Sequence, residues 1–432
     1  MSVYKNLSIK GASLEKGQLN EYIEKIAQEH MVSGESDRET YPIPKLRENF
    51  DFISKTYELL SEHLKLGIKI HSAGEWVLDN FYIIEECVQN IEKTLKMKKY
   101  KKFIALSSGR YQGFARVYVL ASEIVGFTDF KITEEILEET LRAYQDRQVL
   151  SMEEIWNIGI FMQIALVQNI RDICEKIYYV QIQKYKVENI FERLVENKEK
   201  KELVFQKNIK EKDIFSYRDL KYPFIEYMLY KLRRTGKKGS KYIEVLEEQV
   251  KMMGTTVSDI VLKEHFYVAT LKVSMGNCIR SIKNINRINF QEIFEKINKT
   301  EEILNSDPAG VFKNMTHESK DYYRNVIKKI SNKTKISEIY IAEKVLELAS
   351  KNRDGRKSHI GYYLIDDGKE ELMYNLTGIK KNKMSLKLKS KLYVNFILIS
   401  TIILDLSLVR PFIGHAELCC VFYICNKFNS NL

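Results

Sequence analysis

The sequence predicts an all-α fold, several packed helical domains followed by one candidate transmembrane helix. Three observations carry that expectation. Five prolines and nineteen glycines in 432 residues leave few helix breakers. Apolar residues step by three and four along most of the chain, the spacing that lines one face of a helix. Residues 392–409, LYVNFILISTIILDLSLV, hold one charge, Asp405, before Arg410 and Pro411 stop the run. A bilayer span needs about 20 apolar residues, so length alone leaves a buried terminal helix as the alternative.

Taken in order, Leu46, Phe50, Ile53, Tyr57, Leu60 and Leu64 mark a first amphipathic helix, and Val77, Phe81, Ile84, Val88, Ile91 and Leu95 a second. The short joint between them, with Gly67 and Gly74, predicts antiparallel neighbours. Residues 103–116 lose the helical period at Gly109 and Gly113 and read as a structured loop. Thr133 before Glu134 and Glu135 is a helix start: its hydroxyl can cap free amides, and the acids suit the positive end of the helix dipole. Ser151 with Glu154 is a capping box, opening a core helix through Ile155, Trp156, Ile158, Phe161, Met162, Leu166 and Ile170. The charged stretch 198–212 suggests a soft boundary. Helices are then expected over 224–234, 242–252, 256–288, 290–304, 318–331 and 337–351. The expected domains are 1–200 and 214–376, a basic juxtamembrane segment 380–391, the apolar run 392–409 and a tail 410–432.

The formal net charge is +11, but acids and bases are interleaved, and no basic stripe with polar or aromatic readers emerges, so no nucleic-acid partner is expected. The clearest local excess is Lys380, Lys381, Lys383, Lys387, Lys389 and Lys391, directly before the apolar run. Basic residues favour the cytoplasmic flank of a span, which makes the membrane an expected partner and puts the bulk of the chain in the cytoplasm. The start, MSVYKNLSIKG, lacks the apolar core of a secretory signal. Cys87, Cys174 and Cys278 are isolated, and Cys419, Cys420 and Cys425 crowd the end without a matching pair, so free thiols are expected rather than disulfides or a zinc site.

Residues that invite a chemical reading each have a plainer one. His71 and Glu75 could share a helix face as a metal pair, but two ligands without a third are weak. His30, His63 and His265 fall in helical stretches, and Asp366 and Asp367 before Gly368 have turn chemistry. Gly236-Lys237-Lys238-Gly239 lacks P-loop spacing and reads as a surface turn. Trp76, Phe81 and Tyr82 could stack on sugar rings, although their spacing favours core packing. In Asp307-Pro308-Ala309-Gly310 the proline and glycine stop one helix and redirect the chain. The sequence therefore assigns no catalytic residue, no cofactor-binding residue and no metal ligand.

Several segments, in order, resemble the N-terminal region of bacterial cyclic β-1,2-glucan synthases. They are PIPKLRENF at 42–50 and EWVLDNFYIIEE at 75–86, then Arg116-Val117-Tyr118 and Ala143-Tyr144-Gln145. Ser274-Met275-Gly276-Asn277-Cys278, the SDPAGVF stretch at 306–312, Asp321-Tyr322-Tyr323-Arg324 and HIGYYLID at 359–366 follow. The resemblance covers roughly residues 15–376; MTHESK at 315–320 is looser than the family pattern, and nothing after Arg410 matches it. It implies a large inner-membrane enzyme that moves glucose from UDP-glucose into a β-1,2 chain and releases the chain as a ring. This segment would be an accessory region packed against the glycosyltransferase domain or polypeptide, ending before it. Such transfer needs metal-holding carboxylates, a base and an Arg-Trp acceptor motif. The chain has no Asp-x-Asp, and neither Trp76 nor Trp156 follows an arginine, so it is expected to be non-catalytic. The alternative is a stand-alone, membrane-anchored helical interaction protein.

Overall fold

The computed structural model describes residues 5, 7–195, 220–352, 355–378, 397 and 399–401. The boundary segment 198–212, the lysine cluster 380–391, the tail 410–432 with its three cysteines, and all of 392–409 except 397 and 399–401 lie outside the described residues. The chain divides into two compact units, Met1–Glu302 and Ile303–Leu432. As expected, the described residues are almost entirely helical.

Unit 1 is organised around one long helix. It opens with α1 (Lys16–Glu29), α2 (Ile43–Lys65), α3 (Ser72–Thr94) and the short α4 (Met97–Tyr100), followed by α5 (Arg116–Phe127), α6 (Glu134–Gln145) and α7 (Met152–Val195). It continues through α8 (Tyr222–Arg233), α9 (Lys237–Met252), α10 (Val257–Ile285) and α11 (Phe290–Ile297), and α12 (Lys299–Asn305) runs across the division between units. The α7 helix packs against α2, α3, α5, α8 and α10. Its first half buries Ile158, Phe161, Met162, Leu166 and Ile170 completely, each burial worth about 1.5–3 kcal/mol. Phe161 stacks on Tyr118 and meets Phe103 edge-on. Its second half carries Val187 and Phe191 into a cluster with Ile225, Met228 and Leu232 of α8 and Leu246 of α9. Residues 220–302 thus belong to the same unit as the N-terminal helices.

The α2–α3 pair is antiparallel, as expected from its short joint. Arg47 meets Glu92, Tyr57 stacks on Phe81, and Leu60 closes on Gly74, so the contacts run in opposite directions along the two helices. The apolar step hid a break in α3, where Asn80 leaves helical geometry (φ −125°, ψ 16°) and its side chain donates to the Trp76 carbonyl. Thr133 caps α6 by accepting from the Ile136 amide at 3.3 Å.

Two expectations are corrected. The stretch read as loop at 103–116 contains β2 (Ile104–Leu106), which pairs antiparallel with β1 (Val32–Glu35) across a bulge. Three- and four-residue strands whose partners lie some seventy residues apart leave too little alternation to read. The single helix expected over 290–304 is two, because the Asn298 side chain accepts from the Thr300 and Glu301 amides and starts α12 anew.

Unit 2 contains α13 (His317–Thr334), α14 (Glu338–Ser350), α15 (Ile360–Ile365) and α16 (Lys369–Thr377) around a core of Phe312, Ile327, Ile341, Val345, Ile360, Tyr363, Leu364 and Leu372. Ser337 caps α14. Among the described residues, no helix is long and apolar enough to cross a membrane.

Candidate functional site

In unit 2, three stretches far apart in sequence meet at one polar junction. Pro308 and Gly310 (φ +66°) turn the chain after Asn305, as expected, and the turn drives the Asp307 side chain inward until none of it is exposed. Its carboxylate accepts from the amides of Val311 and Phe312 at 3.2 Å and of Ile360 at 3.1 Å, and from His359 Nδ1 at 2.7 Å. Four donors on one carboxylate offset the cost of hiding it. His359 Nδ1 therefore carries a proton, and Nε2 lies 3.0 Å from the Tyr323 hydroxyl. Burial, and then the charge of Asp307, raise the Tyr323 pKa. Gly361 makes the junction possible, because a Cβ there would overlap the Tyr323 hydroxyl and lie 2.7 Å from His359 Nε2. Beside Tyr323 is an open groove of about 350 Å³, lined also by Met315, Glu318, Ser319, Tyr322 and Ile365.

Unit 1 has its own buried polar centre. Arg116, at the start of α5, forms a two-pronged bond to Glu154, Nε to Oε1 and Nη2 to Oε2, both 2.7 Å, with side-chain exposures of 5% and 0%. The guanidinium also donates to the Val149 carbonyl (2.7 Å) and to Gln148 Oε1 (3.2 Å). Glu154 completes the capping box as well, accepting from the Ser151 amide and hydroxyl. Tyr144 approaches His30 Nδ1 at 2.9 Å. The sequence signalled the cap but not the ion pair, since Arg116 lies thirty-eight residues away.

A second polar ladder fixes the turn after α5. Asp129 and Phe130 both sit at positive φ (49° and 61°), which a side-chain-bearing residue adopts at a cost of about 1–3 kcal/mol. One face of α10 holds them there. Asn277 donates to Asp129, Ser281 to the Phe130 carbonyl and Asn284 to the Ile132 carbonyl, while the Ile132 amide donates to Ser281. Gly276, in the same stretch, lets Trp76 and Arg280 close on the helix backbone.

Other candidates do not assemble a site. His71 caps α3: its Nδ1 accepts from the Ala73 amide at 3.1 Å, which places the neutral ring's proton on Nε2 and leaves neither nitrogen ready for a metal. Burial, and then Lys184, lower its pKa to about 4. Among the described residues, no three His, Cys, Asp or Glu side chains gather as a metal group. His63 contacts Gln181, and His265 is exposed on α10. Phe81 stacks in the core against Phe50 and Tyr57, Trp76 lies under Arg280, and Tyr82 is exposed, so the three form no common platform. Gly236 (φ +60°) ends a turn, but Lys237, Lys238 and the buried Gly239 are already the first residues of α9, so the surface turn expected over 236–239 is corrected to a helix start; Asp366 and Asp367 lie in a turn whose Lys369 amide donates to the Asp366 carbonyl. Cys87, Cys174 and Cys278 are buried free thiols.

No protein-family model matches the chain. Over 339 residues, 76% of its length, the chain is 23% identical to the cyclic beta-(1,2)-glucan synthase NdvB of Rhizobium meliloti (strain 1021). The chain is a distant relative of that synthase. It spans 11% of the synthase's length. The polar junctions just described fall in the segments that carry the sequence resemblance: Arg116 and Tyr144 in unit 1, and Asp307, Tyr323, His359 and Gly361 in unit 2. Arg116, Tyr144, Asp307, Tyr323 and His359 there make buried or part-buried bonds within the fold, and Gly361 leaves the room they need.

Proposed function

We propose that this chain is a non-catalytic, helical accessory region of a cyclic β-1,2-glucan synthase, corresponding to the N-terminal part of that enzyme. In this reading it packs against and positions a membrane glucosyltransferase that uses UDP-glucose. The observation that carries the reading is the similarity to the Rhizobium meliloti synthase across three quarters of the chain, joined to a site chemistry that is architectural. Arg116, Glu154, Asp307 and His359 spend their hydrogen-bonding capacity on the fold. Residues 392–409, behind the basic segment 380–391, would tether the chain to the inner membrane with its bulk in the cytoplasm.

An exposed stripe on α10 supports a protein partner. Leu262, Phe266 and Val273 are 56%, 67% and 53% exposed on one side of the helix, opposite the buried Ile260 and Leu271. An apolar row of this kind suits a protein contact better than water. Recombinant full-length chain supplied with UDP-glucose and a divalent metal is expected to make no β-1,2-glucan and to pellet with membranes, whereas a variant lacking 392–409 is expected in the supernatant. Glucan synthesis by the isolated chain would overturn the accessory role, and unchanged pelleting of the shortened chain would overturn the anchor.

A further inference from the structure

We propose that the groove of unit 2 lined by Glu318, Ser319, Tyr322 and Tyr323 binds a neutral polyhydroxylated ligand, a β-linked glucan chain rather than a sugar nucleotide. The choice of glucan rests on the function proposed above; the choice of a neutral polyol rests on the groove itself.

The polar lining offers both an acceptor and a donor. Asp307 keeps the proton on His359 Nδ1, so in the neutral ring Nε2 takes the Tyr323 O–H, and the buried hydroxyl anchors the Tyr323 ring as a fixed wall of the groove. The Glu318 carboxylate, when ionised, accepts only. Ser319 accepts from the Thr316 hydroxyl at 3.1 Å, which leaves its own O–H to donate. An acceptor beside a donor suits vicinal sugar hydroxyls, which donate and accept in turn. The apolar part of the wall is Met315, Ile365 and the ring of Tyr322, which is 56% exposed. A pyranose presents C–H faces that pack on such a ring, and an aromatic side chain offers large contact area at low conformational cost.

The same lining disfavours a diphosphate. None of its six residues is a cation, and Glu318 would face the phosphates with like charge. The Asp307–His359 bond also fixes the groove wall before any ligand arrives, which lowers the ordering cost of binding. Another open groove, on unit 1, also has tyrosines in its lining, Tyr179 and Tyr267, but it is crossed by the Lys10–Asp172 ion pair and carries Glu175 and Lys176, so it presents full charges of both signs.

The test titrates the full chain with linear β-1,2-gluco-oligosaccharides, read by calorimetry or saturation-transfer NMR. Tyr322→Ala and Glu318→Gln are each expected to weaken binding by roughly tenfold or more, while Tyr322→Phe, which keeps the ring, stays within about threefold of the parent. UDP-glucose is expected not to compete. The proposal is overturned if the folded parent chain shows no saturable binding, if both substitutions leave affinity unchanged, or if UDP-glucose displaces the oligosaccharide. Recovering glucan-synthesising activity with the parent chain separates the two ideas. Activity that co-purifies while the groove binds nothing removes only the ligand, and glucan binding without co-purifying activity removes only the accessory role.

Discussion

Replacing Arg116 by methionine leaves a carboxylate stranded in the core of unit 1. In the parent chain the guanidinium supplies two of the bonds to Glu154, whose side chain has no solvent exposure, and also satisfies the Val149 carbonyl and Gln148. The variant fills much of the volume with an apolar stem but leaves Glu154 only the Ser151 amide and hydroxyl as partners. Breaking a buried pair by removing one member costs about 3–5 kcal/mol, most of it the penalty of the unpaired charge. Glu154→Gln on the same background removes that charge, so Arg116→Met/Glu154→Gln should be less damaged than the sum of the single variants by about 2 kcal/mol. Urea unfolding followed by far-ultraviolet circular dichroism reads the effect. With an m-value near 3 kcal/mol/M, a 4 kcal/mol loss moves the unit 1 midpoint down by about 1.3 M. Single variants that each move it by less than about 0.3 M, with an additive double variant, would refute the reasoning.

Further outcomes follow from the same geometry. His30 and His71 are held down to about 4, chiefly by burial and then by Arg116 and Lys184 respectively. Between about pH 4 and 6.5 the folded chain therefore binds fewer protons at these rings than the unfolded chain, and their contribution, up to about 3 kcal/mol each, is lost as pH falls. Glu123 and Glu264, both raised to about 7 chiefly by burial, act in reverse: their contribution is full below about 4.5 and is lost as pH rises through 7. The opposing slopes flatten the parent profile between pH 4.5 and 6.5, so Glu123→Gln should make the urea midpoint fall on acidification across that window; an unchanged flat profile would contradict the assignment. Gly361→Ala should push Tyr323 off His359 and cost unit 2 about 1–3 kcal/mol, seen as faster amide exchange in α13 and α15, whereas parent-like protection would mean the contact is not needed. Thr133→Ala removes one cap from α6 and should cost about 1 kcal/mol in thermal or urea unfolding; no change would show that the Ile136 amide finds another acceptor.

Much of the helical framework was legible because its signals are local. The three-and-four step gave α2, α3, α7 and α10, and the chemistry of Thr133 and Ser151 marked where α6 and α7 begin. What escaped depends on partners distant in sequence. The β1–β2 pair joins segments about seventy residues apart, and the Asn298 break looks like continuous amphipathic helix until the side chain is seen turning back on the Thr300 amide. The Asp307 junction was half visible. Its proline and glycine announced a turn, but nothing local told that His359, fifty-two residues on, would hold the aspartate and in turn face Tyr323. Asp129 and Phe130 gave no warning of positive φ, because neither is the glycine such a turn prefers; the α10 side chains that hold them lie about 150 residues later.

The most direct measurement of the central claim is to purify the tagged full chain from the membranes of the cells that make it and assay the eluate for β-1,2-glucan synthesis from UDP-glucose. The account predicts synthesis in that eluate and none from the same chain produced alone. An eluate containing intact, folded chain but no glucan synthesis would contradict it.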